Sequence, residues 1–252
     1  MFRGIKFGAG IALLFAAAAV CAATVVPDST VLPVGLETSI SSRKSKPGQV
    51  ITARVMQEVP LLGDAKIPAG AKLSGEVTAT QPASGSDGGS ISFRFDTLRL
   101  AHETVQLTVQ LRAIASMLDV RQAQTPRSFD STAGENAWTT VQIGGDVVYR
   151  GGGKVRNRSG VVGKPVENGV IARLDSNSGR GCRNDGAGER PQALWIFSTD
   201  ACGTYGLQDV TIVRADRDEP DNAKIGEITL RSTKGDFEVR NGAGLLLRVD
   251  AP

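Results

Sequence analysis

Four groups of residues have types that could carry chemistry. Ser41-Ser42-Arg43-Lys44 spells S-x-x-K, a pattern in which a lysine amine deprotonates a serine hydroxyl held one helical turn away. Pro47-Gly48 follows almost at once, which marks a turn between strands, and the S-D-N and K-T-G partners of such sites do not occur. A turn is therefore expected here, not a nucleophile. Asp216, Asp218, Glu219 and Asp221 crowd enough carboxylate oxygen to hold calcium, but Pro220 takes the third ligand position of the D-x-[DN]-x-[DN]-G loop. Gly151-Gly152-Gly153-Lys154 has the look of a phosphate loop, yet Val155 stands where Ser or Thr would bind magnesium, so no nucleotide is expected. His102 is the sole histidine and lies beside Glu103 at a hairpin corner, so it cannot build a histidine metal cluster. On this reading the chain is not an enzyme, with no catalytic, cofactor-binding or metal-binding residue expected.

Two further groups concern redox state and ligand surface. Beyond Cys21 the only cysteines are Cys182 and Cys202, and they lack C-x-x-C spacing. One disulfide is the simplest expectation in an oxidising compartment, closing a loop of about 20 residues and contributing on the order of 3 kcal/mol. Trp138, Trp195, Tyr149 and Tyr205 could stack on sugars. Trp195 sits in Ala193-Leu194-Trp195-Ile196-Phe197, which reads as a buried strand, so Trp138 is the better candidate for a ligand surface. Arg150, Lys154, Arg156 and Arg158 form the one local excess of positive charge and are expected in a solvated glycine-rich loop.

The N-terminus supplies the compartment. Arg3 and Lys6 precede the apolar run Ile11 to Val20, and Cys21, Ala22 and Ala23 are small, as a signal-peptidase site requires. Residues 1–23 are therefore expected to be a signal peptide. Retention as a membrane anchor and lipidation at Cys21 stay open as alternatives, since Phe7 to Ala23 is close to the minimum of ~17 residues that spans a bilayer. Without Arg3 and Lys6 the 29 basic and 26 acidic residues become 27 and 26. That balance does not favour nucleic acid as a partner. The expected location is periplasmic or extracellular.

Stepping along the chain, the dominant hydrophobic period is two. Val105, Leu107, Val109 and Leu111 alternate with polar residues, as do Ile91, Phe93 and Phe95, and Ile51, Ala53 and Val55. The pattern returns in Val210 and Ile212, Ile228 and Leu230, and Leu245, Leu247 and Val249. Pro47-Gly48, Pro68-Ala69-Gly70, Lys234-Gly235-Asp236 and Asn241-Gly242 punctuate these runs. The fold class read from this is all-β, an antiparallel barrel or sandwich, with one short helix at most, best placed in Ala113 to Ala123. A polar stretch at 122–136 with Pro126 and Gly134 divides a β domain at 31–121 from a glycine-rich β domain at 137–250, unless the two share one core.

Val31 to about Ala115 resembles the C-terminal periplasmic domain of the VirB10/TrbI family of conjugation and type IV secretion proteins. The likeness rests on Leu32-Pro33-Val34-Gly35, Pro47-Gly48-Gln49-Val50 and Ile67-Pro68-Ala69-Gly70, followed by Leu73-Ser74-Gly75, in that order. It covers about a third of the chain and implies a β-barrel in the cell envelope, not membership of a secretion channel, because such turn motifs specify fold more than function. The expected role is thus structural or protein-interacting, with other envelope proteins or a second copy as partner. A free-standing glycan or cell-wall binding module is the alternative.

Overall fold

The computed structural model describes residues 25–125, 127–129, 138–145, 147–150, 154–175, 182, 190–213 and 226–250, with side chains for all but 127–129, 138–141 and 147–150. The first stretch forms β1 (Val31–Leu36), β2 (Ile40–Ser41), β3 (Val50–Val55), β4 (Val59–Pro60), β5 (Lys66–Ile67), β6 (Lys72–Gln81), β7 (Ser90–Arg99), β8 (Thr104–Gln106) and β9 (Thr108–Ala115). After helix α1 (Met117–Gln124) come β10 (Arg127–Phe129), β11 (Trp138–Val141), β12 (Val147–Arg150), β13 (Val155–Asn157), β14 (Gly160–Val166), β15 (Gly169–Ala172) and β16 (Gln192–Ala193). The remainder is β17 (Gly203–Tyr205), β18 (Val210–Val213), β19 (Ile228–Ser232), β20 (Glu238–Val239) and β21 (Gly244–Asp250). The all-β, sandwich-like class is what the alternating pattern requires.

A ten-stranded sheet runs β17-β9-β21-β1-β3-β6-β7-β19-β18, with β8 added to β7. It draws strands from both sides of 122–136: β17, β18, β19 and β21 come from the C-terminal part. A second sheet is a meander from β10 to β16, each strand antiparallel to the next.

The barrel expectation is corrected to an open, curled sheet. Thr104 to Arg112 is not one strand: it is interrupted at Leu107, whose N–H makes the last bond to β7, donating to the Asp96 carbonyl at 3.0 Å. Before the break β8 pairs with β7, and after it β9 pairs with β21. The sheet therefore folds back on itself at this segment, but β7 and β9 part company. Their separated ends carry β19 on Ile91 and Phe93, and β17 in parallel on Ala113 to Ala115.

Inside the curl lies a core of Ile91, Phe93, Phe95, Val109, Leu111, Leu245 and Leu247, all buried. A second core fills the space between the sheet's other face, α1 and the meander, and contains Val31, Ala113, Ala115, Val120, Val155, Ala172, Phe197 and Leu246. β21 is thus buried on both faces, which is why Leu245, Leu246 and Leu247 run without a polar residue between them. At the bulge that leaves Asp96 of β7 unmatched, a Cβ on Gly75 would lie 1.8 Å from the Arg94 carbonyl oxygen, so only glycine lets β6 and β7 approach there.

The helix starts four residues later than the sequence suggests. Ala113 to Ala115 are held in strand by β21 and β17, and Ser116 supplies the cap, its hydroxyl accepting the Asp119 N–H at 3.2 Å. Pro126 stands just past the end of α1.

A charged clamp fixes the corner before β20. Asp236 Oδ1 accepts the Ala83 N–H at 2.8 Å and the Ser42 hydroxyl at 3.0 Å, and Ser42 Oγ accepts the Phe237 N–H at 3.1 Å. The Ala83 hydrogen bond above all, opposed by desolvation and helped by Ser42 and by the charge on Arg43, holds the Asp236 carboxyl below its ordinary range. A depressed folded pKa stabilises above the unfolded value of about 3.9 and is lost as pH falls through the folded one. Thermal melts between pH 6 and pH 2 should therefore show a shallower acid loss of Tm in Asp236→Asn than in the parent. Parallel curves would remove the clamp's role.

Candidate functional site

Among the described residues, those that could have done chemistry are not assembled into a centre. Ser41 ends β2, and its hydroxyl accepts the backbone N–H groups of Arg43 and Lys44 at 3.3 and 3.4 Å, while Lys44 Nζ reaches Glu238 at 3.7 Å. The S-x-x-K match is a turn with its lysine turned away, as the following Pro47-Gly48 implies. His102 is exposed in a bend. Gly151 to Gly153 and Asp216, Asp218, Glu219 and Asp221 lie outside the described residues, as do Cys21 and the signal-like segment. Among the described residues no group of three His, Cys, Asp or Glu side chains converges, and no helix is long and apolar enough to cross a membrane.

Cys182 and Cys202 form the expected disulfide, with Cα atoms 6.0 Å apart and both residues fully buried. Beside it lies a residue that the sequence pattern hides. Arg112 is the extra residue in the β9–β21 pairing, where Leu246 faces Ala113 and Leu247 faces Leu111. The bulge turns its side chain inward to 2% exposure. Its Nε donates to the Ala201 carbonyl at 3.0 Å and one Nη to the Asp175 carbonyl at 2.8 Å, while Cys182 Sγ contacts the Arg112 carbonyl at 3.8 Å. This node ties β9 to the segments after β15 and before β17. It is shut off from solvent, so its work is structural.

Trp195 also departs from expectation. The strand stops at Ala193, and Trp195 occupies a turn with φ +53°, although it is buried as foreseen. Such a conformation is costly for a bulky residue and persists only where neighbours fix it. Gln57, fully buried, does so: its Oε1 accepts the Trp195 N–H and the Val170 N–H, the latter at 3.2 Å, and its Nε2 donates to the Val170 carbonyl at 2.9 Å. Gln142 Nε2 donates to the Trp195 carbonyl at 3.3 Å.

The indole so placed forms part of the floor of an open cleft of about 520 Å³ between α1, the β1–β3 pair and the 241–242 turn. Leu36 and Val120 line it with Trp195, Met56 and Met117 add two thioethers, and Arg54, Glu37, Arg121 and Gln124 supply its polar groups. Arg54 and Glu37 are paired at 2.7 Å. No signal in the sequence could have found this cleft, because its residues come from separate segments of the chain.

The meander presents a different surface. Arg156 faces away from buried Val155 and pairs with Val161; Lys164 and Arg173 follow Gly163 and Ala172, which pair with each other on the inner side. Alternation therefore puts Arg156, Val161 and Lys164 on one face together with Ile171, the half-buried partner of Lys164 that packs against the first core, and Arg173, exposed just past β15, follows on the same side. Lys154 and Arg158 flank it, all five cations are exposed, and none makes an ion pair among the described residues. In the first sheet Arg54, Arg94 and Arg248 are each held by a carboxylate, while Lys72, Arg99 and Arg231 make no ion pair among the described residues. Trp138 and Tyr149 contribute backbone to this sheet, with Trp138 opposite Arg150, and their side chains lie outside the described ones. Tyr205 lies elsewhere, its hydroxyl accepting the Cys202 N–H at 3.0 Å.

No protein-family model matches the chain, and comparison with curated proteins and with solved structures returns no match.

Proposed function

We propose that this is an exported, non-enzymatic cell-envelope protein with a structural or protein-interaction role, and that the outer face of the β13–β15 meander is its docking surface. The signal-like N-terminus and the buried disulfide support export. The turn motifs shared with the VirB10/TrbI family support an envelope setting. The observation that carries the interaction role is the cluster Arg156, Lys164 and Arg173: exposed, without an ion pair among the described residues, and held together by the β13–β15 register. Such a cluster favours an acidic partner surface and speeds encounter with it.

The test is in-cell cross-linking followed by the native mass of the gently extracted protein. The parent should appear in a complex larger than the monomer, and a variant carrying Arg156→Glu, Lys164→Glu and Arg173→Glu should run as a monomer with Tm within a few degrees. A parent that is itself monomeric overturns the proposal. A second reading, a free-standing glycan or cell-wall binding module, rests on Trp138 standing opposite Arg150 in the same sheet. There, Trp138→Ala should abolish retention on cell-wall material, and unchanged retention removes that reading.

A further inference from the structure

We infer that the cleft between α1 and the β1–β3 pair is a binding site for a small anionic amphiphile, an apolar body carrying one carboxylate. Its depth is apolar and closed: Leu36, Val120 and Trp195 are only 1%, 5% and 4% exposed, so the site ends on core packing. Met56 and Met117 form half-buried walls. Unbranched, polarisable thioethers adapt to varied apolar shapes, which suits a site that takes a chain and not a rigid ring. A volume of about 520 Å³ lies within the range of small-ligand clefts, roughly 300–1,000 Å³.

Charge sets the polarity of the ligand. Met117, Val120, Arg121 and Gln124 recur at helical spacing on the side of α1 turned to the cleft. Val120 of this row is buried, whereas Arg121 and Gln124 are exposed at the mouth. Arg54 is neutralised by Glu37 at 2.7 Å, and Arg121 makes no ion pair among the described residues. The lining thus has one uncompensated charge, positive, at the open end above an apolar floor. An apolar tail pointing inward puts its carboxylate beside that guanidinium, with the amides of Gln124 and Asn241 as further donors.

An extended peptide is disfavoured as occupant. β1 is paired on both edges, to β21 and β3, and β3 is paired on both, to β1 and β6. The cleft therefore offers no free strand edge for a peptide backbone to join.

The experiment is calorimetric titration of the purified protein with dodecanoate, below its aggregation concentration, alongside dodecanol and dodecyltrimethylammonium. The Trp138→Phe variant is followed in parallel by fluorescence, since Trp195 is then the only tryptophan. Dodecanoate should bind at one site per chain and shift the Trp195 emission, with dodecanol weaker and the cationic amphiphile weakest. Arg121→Glu, an exposed change that the fold tolerates, should weaken dodecanoate about tenfold by reversing the attraction, and Met117→Gln should weaken all three probes. Absence of saturable binding overturns the assignment. Equal binding of the three probes, or indifference to Arg121→Glu, overturns it equally, because either would mean nonspecific uptake of an apolar chain.

Discussion

Replacing Arg112 by methionine should lower the unfolding free energy by about 3 kcal/mol, because each charge-assisted hydrogen bond is worth roughly 1.5–3 kcal/mol and orphaned carbonyls add their own cost. The guanidinium is 2% exposed and holds the carbonyls of Ala201 and Asp175 at 3.0 and 2.8 Å. Methionine keeps much of the volume and supplies no donor. Lysine should recover little, since its ammonium does not present two N–H groups in a rigid fork to carbonyls on different segments. The disulfide sharpens the test. Arg112 immobilises Ala201 and the disulfide immobilises Cys202, its neighbour, so the two act on one segment. Removing both cysteines should cost about 3 kcal/mol alone, and combining that change with Arg112→Met should cost less than the two single losses together. Urea denaturation of the four proteins measures this directly. A loss below about 1 kcal/mol for Arg112→Met would mean that water replaces the guanidinium.

Arg112 also shows where sequence reading reaches its limit. Its neighbours Val109 and Leu111 alternate cleanly with Thr108 and Gln110, and that period predicts a solvent-facing side chain at 112. The bulge inverts it, and bulges are set by the partner strand, here Leu246 and Leu247. β7 was legible because only one of its faces is buried, so Ile91, Phe93 and Phe95 stand out against Ser92 and Arg94. The Cys182–Cys202 pair was legible because no other cysteine competes beyond Cys21. Trp195 was half legible: its burial follows from an apolar run, but its positive φ is imposed by Gln57, 138 residues away. The same distance defeats any local reading of the cleft, which needs residues 35–37, 54, 56, 117, 120, 121, 124, 195 and 241–242 together. Arg156 was visible as part of a basic cluster, whereas Lys164 and Arg173 join it only through the β14–β15 register. The curled but open sheet was out of reach because its shape depends on where one segment, 104–115, leaves β7 for β21.

Phe197→Ala should be the most damaging single change in the second core, at roughly 3–5 kcal/mol for a fully buried phenylalanine truncated in place. Phe197 is 0% exposed, bridges to Ile143 and belongs to the cluster that joins the meander to the first sheet. Its ring and that of Trp195 rest on the backbone of β21: a Cβ added to Gly244 would lie 3.5 Å from Phe197 Cε2 and 3.2 Å from Trp195 Cζ3. β21 in turn sits between β9 and β1 in the middle of the larger sheet. A cavity at Phe197 therefore loosens a strand that both cores share, and the loss should spread through the whole molecule instead of melting the meander alone. Urea unfolding followed by far-ultraviolet circular dichroism and by tryptophan emission should give coincident transitions, both moved to lower denaturant by the substitution. If emission shifts first and half the dichroism persists to the parent's midpoint, the two sheets unfold as separate units despite sharing β21. Coincidence would mean that residues on either side of 122–136 fold as one cooperative body, held there by aromatic packing on a central strand.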